Sequence, residues 1–252
     1  MIKKAVAISV VENDSTFIHG DTLLVTGKKD NRKIRSYYNV KFFKLDLQGK
    51  CDSLFSDQSK GITKMYVDPI LWSDKSQITG DSIKLLSNQE TNKLDSLKIL
   101  NNALMIKKDS AGFSQLKGKN MYGKFKNNNI ESLDAIGNSE TLFFLRDEND
   151  TLFGIDKKQS SDHILILFEN DDVKSIDYYK AITGKTYPPS DFEKLREDDK
   201  FLNGFIWREE ERPLTKDDIF IKDEIDLEVP EKSTNPKEKS KVKVPLIKER
   251  PK

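Results

Sequence analysis

One recurrence constrains this chain more than any single residue: a glycine, a short alternating run, a polar turn, and a second alternating run ending near Asn or Asp. The copies open at Gly20, Gly49, Gly80 and Gly118, about 29, 31 and 38 residues apart. They read GDTLLVTG … NVKFF, GKCDSLFS … DPILW, GDSIKLLS … NALMI and GKNMYGKF … NSETL. A repeat of this length built from period-two runs predicts stacked β-hairpins rather than a compact enzyme core. Because a strand sends successive side chains to opposite faces, such a stack has one apolar side and one wetted side, and the apolar side forms a trough.

Composition agrees with a thin, mostly exposed β structure. Of 252 residues, 36% are hydrophobic and 34% charged. The 43 basic and 42 acidic residues balance, which removes any whole-surface attraction to nucleic acid. No apolar run approaches the roughly 20 residues that a membrane-spanning helix needs. Cys51 is the only cysteine, so no intrachain disulfide forms, and it reads as a small strand residue. Met1-Ile2-Lys3-Lys4 followed by Ala5 to Val11 imitates a signal peptide, but Glu12-Asn13-Asp14 stands where a small-residue cleavage site belongs. The segment therefore reads as the first strand, and the chain as a mature or truncated form.

Short strands separated by Asn-, Asp- and Gly-rich turns are expected over residues 1–183, with a fifth, less regular unit from Gly154. Residues 184–220 read as a closing segment. After Pro188-Pro189, Ser190-Asp191-Phe192-Glu193 has the form of a capping box and predicts a short helix to about Lys200, docked by Phe192 and Leu195. Phe201 to Trp207 supplies aromatics to cover a terminal edge. In the charged tail, 221–252, residues 222–231 carry five acidic side chains against one lysine and residues 232–252 carry eight basic against two acidic, so disorder is expected.

Aligning the copies assigns faces. Arg35, Lys64, Lys98 and Asp134 fall on one parity, facing water; Met65, Val67, Leu97, Ile99 and Leu133 fall on the other. Asp52 and Ser36 interrupt the apolar row. The expected lining of the trough is Leu23, Val25, Phe42, Leu54, Met65, Val67, Leu71, Ile83, Leu85, Leu97, Ile99, Met105, Met121 and Leu133, a shape suited to elongated apolar ligands. Catalytic chemistry is not indicated. His19 and His163 are 144 positions apart, and no metal-spaced cluster, P-loop, dinucleotide motif or nucleophile elbow occurs, so neither cofactor nor metal is expected. The repeated Gly20-Asp21 and Gly80-Asp81 pairs read as turns, not paired carboxylates. Lysines and aromatics interleave in Tyr37-Tyr38-Asn39-Val40-Lys41-Phe42-Phe43-Lys44, but as a strand rather than a nucleic-acid platform.

Several stretches resemble OstA-like proteins of the OstA/LptA superfamily. They are Phe17 to Leu23, Asn39 to Lys44, Asp46 to Leu54, Met65 to Ser73, Leu116 to Gly123, and Gly204 to Trp207 with Glu211-Arg212-Pro213. The likeness spans roughly residues 5–220. It implies an all-β fold, an open twisted β-jellyroll of stacked antiparallel hairpins with one short helix near 190–200. It also implies a periplasmic protein that holds acyl chains of lipopolysaccharide or lipid A in the trough. Such a protein would bridge inner and outer membrane machinery and pair edge strands with other lipopolysaccharide-transport proteins. A non-enzymatic envelope scaffold, binding protein partners through sheet edges and the charged tail, is the alternative.

Overall fold

Among the described residues, period-two alternation becomes seventeen antiparallel strands in one folded sheet. The computed structural model describes residues 5–222 apart from 12, 13, 29, 30, 90, 92, 127, 128, 170 and 171. The strands are β1 (Ala7–Val11), β2 (Asp14–His19), β3 (Thr22–Thr26), β4 (Lys33–Phe43), β5 (Gln48–Asp57), β6 (Ile62–Tyr66), β7 (Ile70–Ser73), β8 (Ser76–Thr79) and β9 (Ser82–Ser87). They continue as β10 (Leu94–Asp109), β11 (Gly112–Lys126), β12 (Asn129–Ile136), β13 (Ser139–Arg146), β14 (Leu152–Ser160), β15 (His163–Glu169), β16 (Asp172–Tyr178) and β17 (Thr183–Tyr187). The chain is therefore all-β and jellyroll-like, and its strands run on to Tyr187.

A line of corners folds the sheet into two walls. Tyr38-Asn39, Val67-Asp68, Asn101-Asn102, Gly137-Asn138 and Lys180-Ala181 are consecutive pairs in the left-handed region, with φ from +31° to +84°. At four of these corners the peptide N–H of Asp21, Asp52, Asp81 or Lys119 donates to the carbonyl of the pair's first residue, at 2.9–3.1 Å. Asn39 Nδ2 also donates to Asp21 (2.9 Å), and Asn102 Nδ2 to Asp81 (2.9 Å). This is the turn role expected of the two Gly-Asp pairs. Their glycines are required by close approach, since a Cβ at Gly20 would run into Ser36 and one at Gly80 into Ile99.

The first wall is β3, half of β4, half of β5, β6, β9, half of β10, half of β11, β12, β15 and β16. The second is β1, β2, the other halves of β4, β5, β10 and β11, and β7, β8, β13, β14 and β17. The corners also correct the register of the repeat. In the second copy Asp52, not a position counted from Gly49, is the corner residue, so Leu54 aligns with Leu23, Ile83 and Met121. The error was two residues, which preserves parity, so the assignment of faces held for most of the row. The fifth unit has its corner at Asp162, whose carbonyl accepts from Gly137 N–H at 2.7 Å.

Residues 188–221 return as a strap across the outer face of the second wall. The α-helix, α1 (Pro189–Glu193), is shorter than expected. Pro189 takes the first helical position, so Ser190 lies inside the helix and makes no cap bond. A separate 3₁₀ turn, Glu197–Lys200, follows. Phe192 docks as expected, edge-on to Phe144 and Tyr187. The Phe201–Trp207 aromatics cover a face rather than an edge: Phe205 and Trp207 both pack on Phe113, with centroids at 5.2 and 5.1 Å.

Candidate functional site

Between the walls, cross-strand register assembles the apolar residues into rows. One row crosses ten strands as Leu23, Ser36, Leu54, Met65, Ile83, Ile99, Met121, Ala135, Ile164 and Tyr178, each directly opposite the next. A second, one step further from the corners, runs Val25, Ile34, Ser56, Thr63, Leu85, Leu97, Gly123, Leu133, Ile166 and Ile176. The second wall answers with Ala7, Ile18, Phe42, Gly49, Leu71, Ile78, Met105 and Leu116. Apart from Val25, the apolar side chains of all three rows belong to one core cluster or pack against it.

The structure brings most of the expected lining together and closes it. Phe42, Leu54, Met65, Leu71, Ile83, Leu85, Leu97, Ile99, Met105, Met121 and Leu133 are buried, at 0–6% exposure. Along these rows the two walls fill one another's space, so the apolar side that alternation predicts as a trough is closed. Leu23 is half-buried and packs against the core. Val25 is 46% exposed because it lies on an edge strand. Val67 is off the inner wall altogether: its left-handed φ of +60° at a corner breaks the strand's alternation, and its side chain is 61% exposed.

Burial loosens away from the corners. At the far ends of the strands, Leu94, Phe125, Ile130 and Phe168 on the first wall and Leu47 and Leu145 on the second are only half-buried. The walls therefore meet tightly along the fold line and leave a seam of partly wetted apolar side chains at their margins. The interior also changes character along its length. Toward β17 it becomes polar: Asp156 accepts from Thr186 Oγ1 (2.7 Å) and the Tyr178 hydroxyl (3.2 Å), and pairs with Lys158 (2.9 Å). Tyr178 Oη lies 2.9 Å from Thr141 Oγ1. Burial, with the Asp156 carboxylate beside it, raises the Tyr178 phenol above its ordinary value.

Sequence reasoning missed the residues that hold the strap. On the outer face of the second wall, register aligns Gln48, Trp72, Gln77, Ile106, Gln115, Leu142 and Lys157. Gln77 donates to Ile206 O (2.7 Å) and accepts from Arg208 N–H (2.8 Å). Gln115 donates to Lys200 O (3.3 Å) and accepts from Leu202 N–H (2.8 Å). Gln48 accepts from Arg212 (2.7 and 2.9 Å), and Lys157 donates to Asp199 O (2.5 Å). Glu211 joins Lys50 (2.5 Å) and Arg208, which also holds Asp68 bidentately. Burial alone would raise the Glu211 carboxyl, but Arg208 and Lys50 hold it below its ordinary range. The available signal was three glutamines on alternate strands at one parity.

Other reactive groups are occupied structurally. His163 stacks on Tyr179, and His19 sits edge-on to Phe220. Burial pushes the Cys51 thiol up to about 12, which keeps it protonated and unreactive. Among the described residues no group of three His, Cys, Asp or Glu could hold a metal, and no helix is long and apolar enough to cross a membrane.

No family model matches the chain, and no curated protein does. A solved structure does. The chain is similar to LptH from Pseudomonas aeruginosa, the LptA-homologous periplasmic component of the conserved lipopolysaccharide transport device, at 11% identity and a TM-score of 0.40. The match covers 54% of this chain and 82% of that one.

Proposed function

We propose that this jellyroll is a periplasmic lipid-handling protein that takes acyl chains of lipopolysaccharide or lipid A along the seam between its walls, between inner and outer membrane machinery. The supporting observation is the gradient of burial: continuous apolar rows, sealed at the corners, end in half-buried Leu94, Phe125, Ile130, Phe168, Leu47 and Leu145 at the margins. Each methylene removed from water contributes about 0.8 kcal/mol, so a fully enclosed acyl chain gains on the order of 10 kcal/mol before ordering costs. Entry deeper than the margins replaces contacts the walls already make with each other, which holds the net gain well below that figure. Binding of this kind is shallow and releasable, as a carrier requires.

The closed inner rows favour one second reading, an envelope scaffold that binds protein partners, among them other lipopolysaccharide-transport proteins, through sheet edges. Leu24 and Val25 of edge strand β3 are 50% and 46% exposed, as an added strand would need. A photoreactive residue at Phe125 or Leu145 separates the two. The carrier reading expects lipid adducts well above those from a control at Asn149, together with copurifying glycolipid in mass spectra. Adducts at the control level and no copurifying lipid would leave the scaffold.

A further inference from the structure

The strap covers the outer face of the second wall, whereas among the described residues no segment packs on the outer face of the first wall, whose residues form an unusual pair of rows. In one row Lys64 stands directly opposite Lys84, and Lys84 directly opposite Lys98. The row is flanked by Arg35 beside Phe55 and by Tyr122, with Arg35 5.2 Å from the Phe55 ring centroid and Lys98 5.1 Å from that of Tyr122. Like charges directly opposite one another across a ladder are destabilising. No carboxylate among the described residues lies within salt-bridge distance of the three lysines, and their neighbours along the same face are Ile62, Tyr66, Ser82, Leu86, Ser96 and Leu100.

The adjacent row, next to the corners, is mixed and carries wet apolar side chains. Tyr37, Tyr66 and Ile136 are 37–40% exposed, and Tyr38 and Val67, at the corners themselves, are both 61% exposed. Register links Tyr37 through Ser53 to Tyr66, and Leu100 through Asn120 to Ile136. Exposed apolar side chains spaced along this row, between Ser53, Ser82 and Asn120, and set beside three lysines with no carboxylate partner among the described residues, form one mixed patch. Aromatic and aliphatic side chains with lysines alongside match the boundary of a lipid leaflet, rings at headgroup depth and ammonium groups on phosphates.

We infer that the outer face of the first wall over β4, β5, β6, β9 and β10, short of Asp134 and Asp177 further along the same row, forms a docking surface for an anionic, phosphate-bearing lipid leaflet, separate from the seam between the walls. Lys64, Lys84 and Lys98 are its phosphate contacts, and Tyr37, Tyr66 and Val67 its interfacial anchors. The inference does not depend on acyl chains entering the seam.

The test is flotation of the full chain with vesicles containing about one third phosphatidylglycerol, against neutral phosphatidylcholine vesicles. The expected result is binding to the anionic vesicles only, weakened by salt. A Lys64→Gln, Lys84→Gln, Lys98→Gln variant should bind less tightly by roughly fivefold per lysine, on the order of a hundredfold in all. Tyr66→Ser with Val67→Ser should weaken binding at unchanged salt dependence. An undiminished thermal unfolding midpoint establishes that each variant is folded, and Lys75→Gln, Lys108→Gln and Lys185→Gln together, all exposed and away from the first wall's outer face, serve as charge-matched controls. Equal loss in those controls would overturn the assignment, as would absence of vesicle binding. Binding of soluble inositol hexakisphosphate without vesicle binding would overturn the lipid leaflet as the partner.

Discussion

A left-handed backbone suits asparagine and glycine and penalises a β-branched side chain, so the five corners are not energetically equal. Val67, at φ +60° and mostly exposed, bears that penalty with little burial to offset it. Val67→Asn is expected to stabilise the fold by about 1 kcal/mol, read as a raised urea midpoint; a lowered midpoint would contradict the strain. The opposite holds at Asn102, whose amide donates to Asp81 and whose φ is +48°. Asn102→Ala loses both the bond and the preference and should cost about 1–2 kcal/mol in the same measurement. These corners were partly legible. The Gly-Asp pairs read as turns from sequence, but Asn39 and Asn102 as their partners did not, because they stand 18 and 21 residues away.

The strap is an element with almost no regular structure, held by side chains of strands beneath it. Gln77→Leu removes two hydrogen bonds and leaves Ile206 O and Arg208 N–H unpaired. It should cost about 2–3 kcal/mol, measured by denaturant unfolding. The strap is also sensitive to acid. Because Arg208 and Lys50 depress Glu211 below its ordinary value of 4.5, its contribution to stability is complete above that value and is lost as pH falls through the depressed one. Loosening should appear below about pH 4.5 as a change in tryptophan fluorescence from Trp207, which lies on Phe113. Glu211→Gln should flatten that acid limb, and an unchanged limb would place the sensitivity elsewhere. The helix was misjudged for a local reason. Ser190 to Glu193 has the letters of a capping box, but Pro189 already occupies the first turn and the chain must turn to follow the sheet face.

At the scale of the molecule, two apolar layers are stacked on the second wall, one between the walls and one under the strap. Leu142, Ile155, Phe192 and Leu202 form the core of the second. Ending the chain at Tyr187 should uncover Trp72, Ile106 and Leu142, which are wholly buried, and a strong rise in binding of an apolar dye is the expected readout. Ile99, fully buried in the innermost row, tests the other layer. Ile99→Ala should cost about 2–5 kcal/mol if the walls cannot collapse onto the space it leaves.

Alternation by itself determined that this chain is all-β, which side of most strands is apolar, and that Gly-Asp pairs turn the chain. Those are properties of one strand and its own dihedrals. The tertiary structure alone decided that the apolar rows close upon each other, and that Gln77, Gln115 and Trp72, on the nominally wetted parity, are wholly buried. Parity says which way a side chain points. What lies opposite it depends on corners whose partners stand about twenty residues apart, and on a strap that reaches Gln77 from more than a hundred residues away in the chain.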